Sequence, residues 1–130
     1  PGGQFDIPRE IIKACCNNFV DMAADTIRDA TFCCGGGGGL LTDDLVELRV
    51  KGAKPRMEAY RQVVEDHGVT NLAAICAICK TQFAKVMPYY GFEMDAIVSV
   101  HQLVSNAIVF EPEPEDDGDQ GTGEDDHGGE

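Results

Sequence analysis

The chain has 130 residues and carries 23 acidic against 10 basic side chains, a net charge of −13. An acidic balance without a basic stripe argues against nucleic acid and against direct contact with an anionic leaflet, since both rest on neutralising phosphate. The apolar stretch AAICAIC at 73–79, even with Leu72 before it, is far too short to span a bilayer, and no basic-then-apolar leader opens the chain.

In chain order, FDIPREIIKACCNNF predicts a short helix, with Asp6 as a cap, Pro8 in the first turn and Ile11, Ile12 and Cys15 along one face. FVDMA at 19–23 reads as a short strand, and residues 24–32 lead into CCGGGGG at 33–39. TDDLVELRVKGAKPRMEAYRQVVEDHG alternates acid and base at helical spacing. Thr42 or Asp43 is expected to cap it and Gly68 to end it, with Gly52 and Pro55 breaking it into two helices. VTNLAAIC reads as a buried strand ending at Cys76, KTQFAKVMPYYG as a helix, DAIVSV as a second strand and HQLVSNAIVF as a closing helix.

Strands alternating with helices predict an α/β class: a small layered domain, residues 1–110, with short, partly parallel strands and cysteine-bearing loops at strand ends. Residues 111–130 hold ten of the acids and no Lys or Arg, and have no apolar residue to anchor them. That composition predicts a disordered acidic tail.

Six cysteines fall in three close pairs, Cys15-Cys16, Cys33-Cys34 and Cys76-x-x-Cys79. Secreted scaffolds spread cysteines over loops, whereas close pairs grip a metal or do redox chemistry, so a reducing cytosol is the expected compartment. Cys76 and Cys79 stand at the carboxyl end of a predicted strand beside a helix N-terminus, where sites gather in open α/β sheets and thiol pKa falls. With 41 residues between Cys34 and Cys76, four thiols can converge on one metal or iron–sulfur site. Five glycines beside the ligands would aim backbone N–H groups at the site, which favours a sulfide-rich cluster over zinc. No Lys-Ser or Lys-Thr follows the glycines, so a phosphate loop is not expected. The competing readings are a structural zinc or interaction module with a four-cysteine site, and a cluster-free dithiol protein cycling Cys76 and Cys79.

CCGGGGG followed by ICAICK resembles the CCG domain of the heterodisulfide reductase-like family: a first Cys, a spacer, Cys-Cys-Gly, a second spacer and Cys-x-x-Cys. The resemblance runs over residues 4–110, and the segments around both motifs look most like the DsrK-type subunits of the membrane-bound DsrMKJOP complex. It implies a [4Fe–4S] cluster, cubane or non-cubane, held by Cys33, Cys34, Cys76 and Cys79. Cys33 and Cys34 would stand at the reacting centre, with Gly35 and Gly36 beside the cofactor. It further implies an oxidoreductase that reduces a disulfide or trisulfide on a DsrC-like sulfur-carrier protein. The electrons would come from the quinone pool through a cytochrome b-type membrane subunit. The place implied is cytoplasmic, peripheral to the inner membrane through partner subunits. The family's first cysteine lies about thirty residues or more before Cys-Cys-Gly, and no cysteine stands there. Together with a start at Pro1, this leads us to expect the C-terminal part of a longer subunit.

Cys15 and Cys16 lie outside that signature and are expected to pack in the core, with an auxiliary ligand or redox thiol as the alternative. His101 is expected to cap or pack the last helix, and His67 to complement the C-terminus of the helix before Gly68. Tyr89 and Tyr90 are expected as core or rim aromatics.

Overall fold

The computed structural model of the chain describes residues 3–111. The expected acidic tail, beyond Glu111, lies outside the described residues. Helix α1 spans Ile7–Cys15, α2 Val46–His67, α3 Ala77–Val86 and α4 Val100–Ala107. Strands β1, Leu72–Ala74, and β2, Ile97–Ser99, pair in parallel, with Leu72 opposite Ile97 and Ala74 opposite Ser99. Helix α3 makes the crossover between them, so the expected α/β layer is present in its smallest form, one β–α–β unit. Among the described residues no helix is long and apolar enough to cross a membrane.

Pro8 starts α1, as its fixed φ favours, but Asp6 at the cap position makes no capping bond. Its carboxylate accepts instead from the Arg28 guanidinium. Residues 19–23 form no strand. Asp21 is bound by Arg9 at 2.6 Å and accepts from the Met22 N–H at 3.0 Å. Side-chain bonds therefore hold the segment where a ladder was expected. Short 3-10 turns at Ala24–Thr26 and Arg28–Ala30 carry it on toward the cysteines.

The expected break in the long helix is also absent. Helix α2 runs unbroken for 22 residues, with Pro55 inside it, and ends at Gly68 with φ 65°. An interior proline costs about 3 kcal/mol through its missing N–H and its clash with the preceding turn. Here it sits on the exposed side, where water can reach the carbonyl left without its donor. On the opposite side Arg49, Ala53, Met57, Tyr60 and Val63 are all buried, at the spacing of one helical face. That stripe offsets the proline. Tyr60, Phe83, Val86, Met87 and Ile97 join Ala53 and Met57 in the core, with Cys34 at its margin.

Helix α4 is capped by Ser99, whose hydroxyl accepts from the Gln102 N–H at 3.2 Å; His101 is exposed and does not cap. Tyr90 donates to the Val50 carbonyl at 2.5 Å and sits at the core's rim, whereas Tyr89 is exposed.

The core holds one polar knot. Gln82 is fully buried, accepts from Arg49 Nε at 2.7 Å, and donates to the carbonyls of Cys34 at 3.1 Å and Arg49 at 3.2 Å. One side chain thus ties α3, α2 and the cysteine loop together. Replacing Gln82 by Leu removes both carbonyl bonds and strands the Arg49 Nε, so a loss of about 2–4 kcal/mol in urea unfolding is expected. A shift below about 0.5 kcal/mol would show that the knot contributes nothing.

Candidate thiol site

The site grows from two loops. The first is Phe32–Gly36, which runs along α2. At Gly35, φ is 81°, and a Cβ there would lie 2.8 Å from both the Ala53 nitrogen and the Gly52 carbonyl carbon. Only glycine permits that backbone-to-backbone approach. Gly52, expected as a helix breaker, is its counterpart: a Cβ at Gly52 would meet the Gly35 Cα at 3.3 Å. A Cβ at Gly36 would run into the Gln82 side chain at 2.9 Å. Gly37, Gly38 and Gly39 are different, with nothing within 4 Å of an added Cβ.

The second loop leaves the carboxyl end of β1, at Ala74, and enters α3 at Ala77. Cys76 occupies the N-cap position and Cys79 the first turn. The first N–H groups of a helix have no intrahelical partner, and here they serve sulfur. The Cys79 and Ile78 N–H groups hold the Cys76 thiol below its usual pKa.

Cys34, Cys76 and Cys79 lie within hydrogen-bonding or charge reach of one another, and Cys33 lies within reach of Cys34. Cys34 is buried, Cys79 half-buried, and Cys33 and Cys76 exposed. Cys34 and Cys79 form the central pair. The Cys79 thiol beside Cys34, the Gly36 N–H and the Cys33 thiol bring the Cys34 pKa down to about 6. Cys79 moves the opposite way, because it holds the proton in its bond to Cys34 and is partly buried. Cys33 accepts from the Gly35 N–H at 3.3 Å. The expected row of N–H donors is therefore made by Gly35, Gly36 and the start of α3, while Gly37–Gly39 stand clear.

Among the described residues no three Cys, His, Asp or Glu side chains are already gathered around a point that would hold a metal ion. The donor chemistry nonetheless fits an iron–sulfur group: four thiols on two loops, with N–H donors aimed at Cys33, Cys34 and Cys76. Gly35 and Gly36 keep the first loop pressed against the core behind them. Cys15 and Cys16, at the end of α1, are half-buried rather than core residues.

Sequence reasoning missed two side chains here. Gln82 holds the Cys34 carbonyl, and its only signal was a lone amide among the apolar residues of α3. Arg56 donates through Nε to the Phe32 carbonyl at 3.2 Å and was hidden behind the expected break at Pro55.

Known proteins resemble this chain in sequence. The chain is 41% identical over 117 residues to the Hdr-like menaquinol oxidoreductase iron–sulfur subunit 2 of Archaeoglobus fulgidus, a match covering 88% of this chain. Identity and coverage are the same for the Hdr-like menaquinol oxidoreductase iron–sulfur subunit of Archaeoglobus profundus. The chain is related to Hdr-like iron–sulfur oxidoreductase subunits. It spans 21% of the length of each of these two relatives. No family model and no solved structure matches it.

Two outcomes follow from the geometry. Gly35→Ala should cost at least about 2 kcal/mol, through a strained φ and a clash with rigid backbone, while Gly37→Ala should stay within about 0.5 kcal/mol. Equal losses at the two positions would contradict the close approach. The second concerns pH in the metal-free, reduced protein. Folding lowers the Cys34 pKa from 9.0 to about 6, so between those values the unfolded chain binds more protons and stability rises with pH. Above that window the raised Cys79 pKa reverses the slope, because the folded state then keeps a proton the unfolded chain loses. The difference in urea midpoint between wild type and Cys34→Ala should accordingly grow from pH 6 to pH 9; a flat difference would refute the shared proton.

Proposed function

We propose that this chain supplies the thiol-bearing domain of an Hdr-like iron–sulfur oxidoreductase subunit, with Cys33, Cys34, Cys76 and Cys79 holding a [4Fe–4S] cluster. The observation that carries this is the Cys34–Cys79 pair, two thiols from motifs far apart in sequence meeting at a helix N-terminus. When bound, such a cluster supplies one-electron transfer near a sulfur substrate. The chain's own residues do the rest. Gly35, Gly36, Cys79 and Ile78 direct N–H groups at the sulfurs and favour their charged form. Gln82 fixes the Cys34 backbone, and the Gly35 contact with α2 sets its depth.

The substrate we propose is a disulfide or trisulfide on a DsrC-like sulfur-carrier protein, as in DsrK-type subunits. A disulfide takes up two electrons and two protons and leaves as two thiols; a trisulfide takes up four of each and releases hydrogen sulfide as well. Those electrons would come from the quinone pool through a cytochrome b-type partner, with this subunit on the cytoplasmic side of the membrane. Two observations support a protein partner. Phe32, Ile75 and Ile78, next in sequence to Cys33, Cys76 and Cys79, are exposed apolar side chains. Gly37–Gly39 leave open space beside the exposed Cys33.

The test is anaerobic reconstitution of the protein with iron, sulfide and zinc all offered. Iron and acid-labile sulfide should be retained together and fall severalfold in Cys34→Ala and Cys79→Ala, but not in Cys15→Ala or Cys16→Ala. Zinc retained without sulfide would establish the structural four-cysteine zinc module instead. For the substrate, the complete subunit, reduced anaerobically, should release thiols from a DsrC-type disulfide or trisulfide. Failure there, with the cluster intact, would leave the domain an electron relay.

A further inference from the structure

Arg56 sits on α2, one turn beyond Gly52 and Ala53, the residues against which Gly35 packs. It is half-buried and long enough to lie across the first cysteine loop. Its Nε donates to the carbonyl of Phe32, the residue immediately before Cys33, and its Nη1 to the Met22 thioether. Neither partner is a carboxylate. Among the described residues the ion pairs of nearby acids go elsewhere: Asp21 is bound by Arg9 and Asp6 by Arg28. Its charge acts most on the sulfurs of Cys79 and Cys34, and less on the Asp21 carboxylate that Arg9 already holds.

A guanidinium drawn out of water without a carboxylate partner is costly unless another anion stands nearby. Arg56, bonded to the residue just before Cys33, is placed so that the sulfur site is where such an anion would stand. We propose that Arg56 is a positioning residue for the thiol site, clipping Phe32 to α2 while setting a fixed positive charge against Cys34 and Cys79. The inference rests on the four-cysteine reading of the site for its relevance to redox chemistry. Its electrostatic part stands on the metal-free protein alone. Fixed positive charge favours whichever state of the site carries more electrons, and it concentrates anionic reagents at the sulfurs. In a chain of net charge −13, such a local reversal of sign would be the feature that admits an anionic sulfur species.

The test compares alkylation by iodoacetate, which is anionic, with alkylation by iodoacetamide, which is neutral. Rates are followed residue by residue by mass spectrometry on the metal-free, reduced protein. Wild type should show a higher iodoacetate-to-iodoacetamide ratio at Cys34 and Cys79 than at Cys15 and Cys16, and that excess should vanish at high salt. In Arg56→Gln the ratio at Cys34 and Cys79 should fall about threefold, and in Arg56→Lys, which keeps the charge, by much less. A wild-type ratio equal at all four cysteines and indifferent to salt would overturn the proposal, even if the glutamine variant did not fold. So would an unchanged ratio in a folded Arg56→Gln protein. Where the reconstituted protein holds a cluster, Arg56→Gln should also make its midpoint potential more negative at unchanged iron content. If wild type takes up no cluster, the functional reading fails while the alkylation ratios still decide the role of Arg56.

Discussion

Everything at the thiol site depends on one close approach, that of the Gly35 backbone to α2 at Gly52 and Ala53. Two backbones meet there with no side chain between them, so the depth of Cys34 is set by main-chain contact, which yields far less than a side chain can. Gln82 then locks the arrangement, because its amide bridges the Cys34 and Arg49 carbonyls while its oxygen accepts from Arg49. Removing the approach would lift the loop from the core, and Cys34 would lose its place beside Cys79.

The electrostatics follow from that placement. A thiolate near the core needs compensation, and three kinds are arranged around Cys34: loop N–H groups, the Cys79 thiol on the first turn of α3, and the Arg56 charge. The cost is shared unequally between Cys34 and Cys79, one holding its proton loosely and the other tightly. In such a coupled pair the proton stays with Cys79 while Cys34 gives its own up more readily.

Much of this was legible in the residues themselves. The two strands, the helix after Cys76 and the end of α2 at Gly68 follow from apolar runs and a left-handed glycine, signals carried by local chemistry. The proximity of the two cysteine motifs was legible from their pairing and from the position of Cys76 at a strand end. What was not legible has a tertiary cause. Pro55 fails to break α2 because the stripe from Arg49 to Val63 is buried by elements distant in sequence. Residues 19–23 have strand-like composition but find no edge to pair with, and Arg9 claims Asp21 instead. Gly52 reads as a breaker until its partner, Gly35, is known. The five glycines looked uniform, yet only the first two touch the core, and nothing in a run of identical residues separates them.

The bond from Gln82 to the Cys34 carbonyl joins residues 48 positions apart. Closing a loop of that length costs several kcal/mol of chain entropy before any contact repays it. Helix α2, built on local bonds, can form early, but the two thiol pairs stay strangers until α3 has crossed over and β1 has met β2 in parallel register, a slow class of event. During synthesis the Cys33-Cys34 pair emerges well before Cys76. Any donor of a thiol-binding group therefore meets all four sulfurs together only on a chain that has already collapsed around Gln82, so loading of the site is coupled to the last stages of folding.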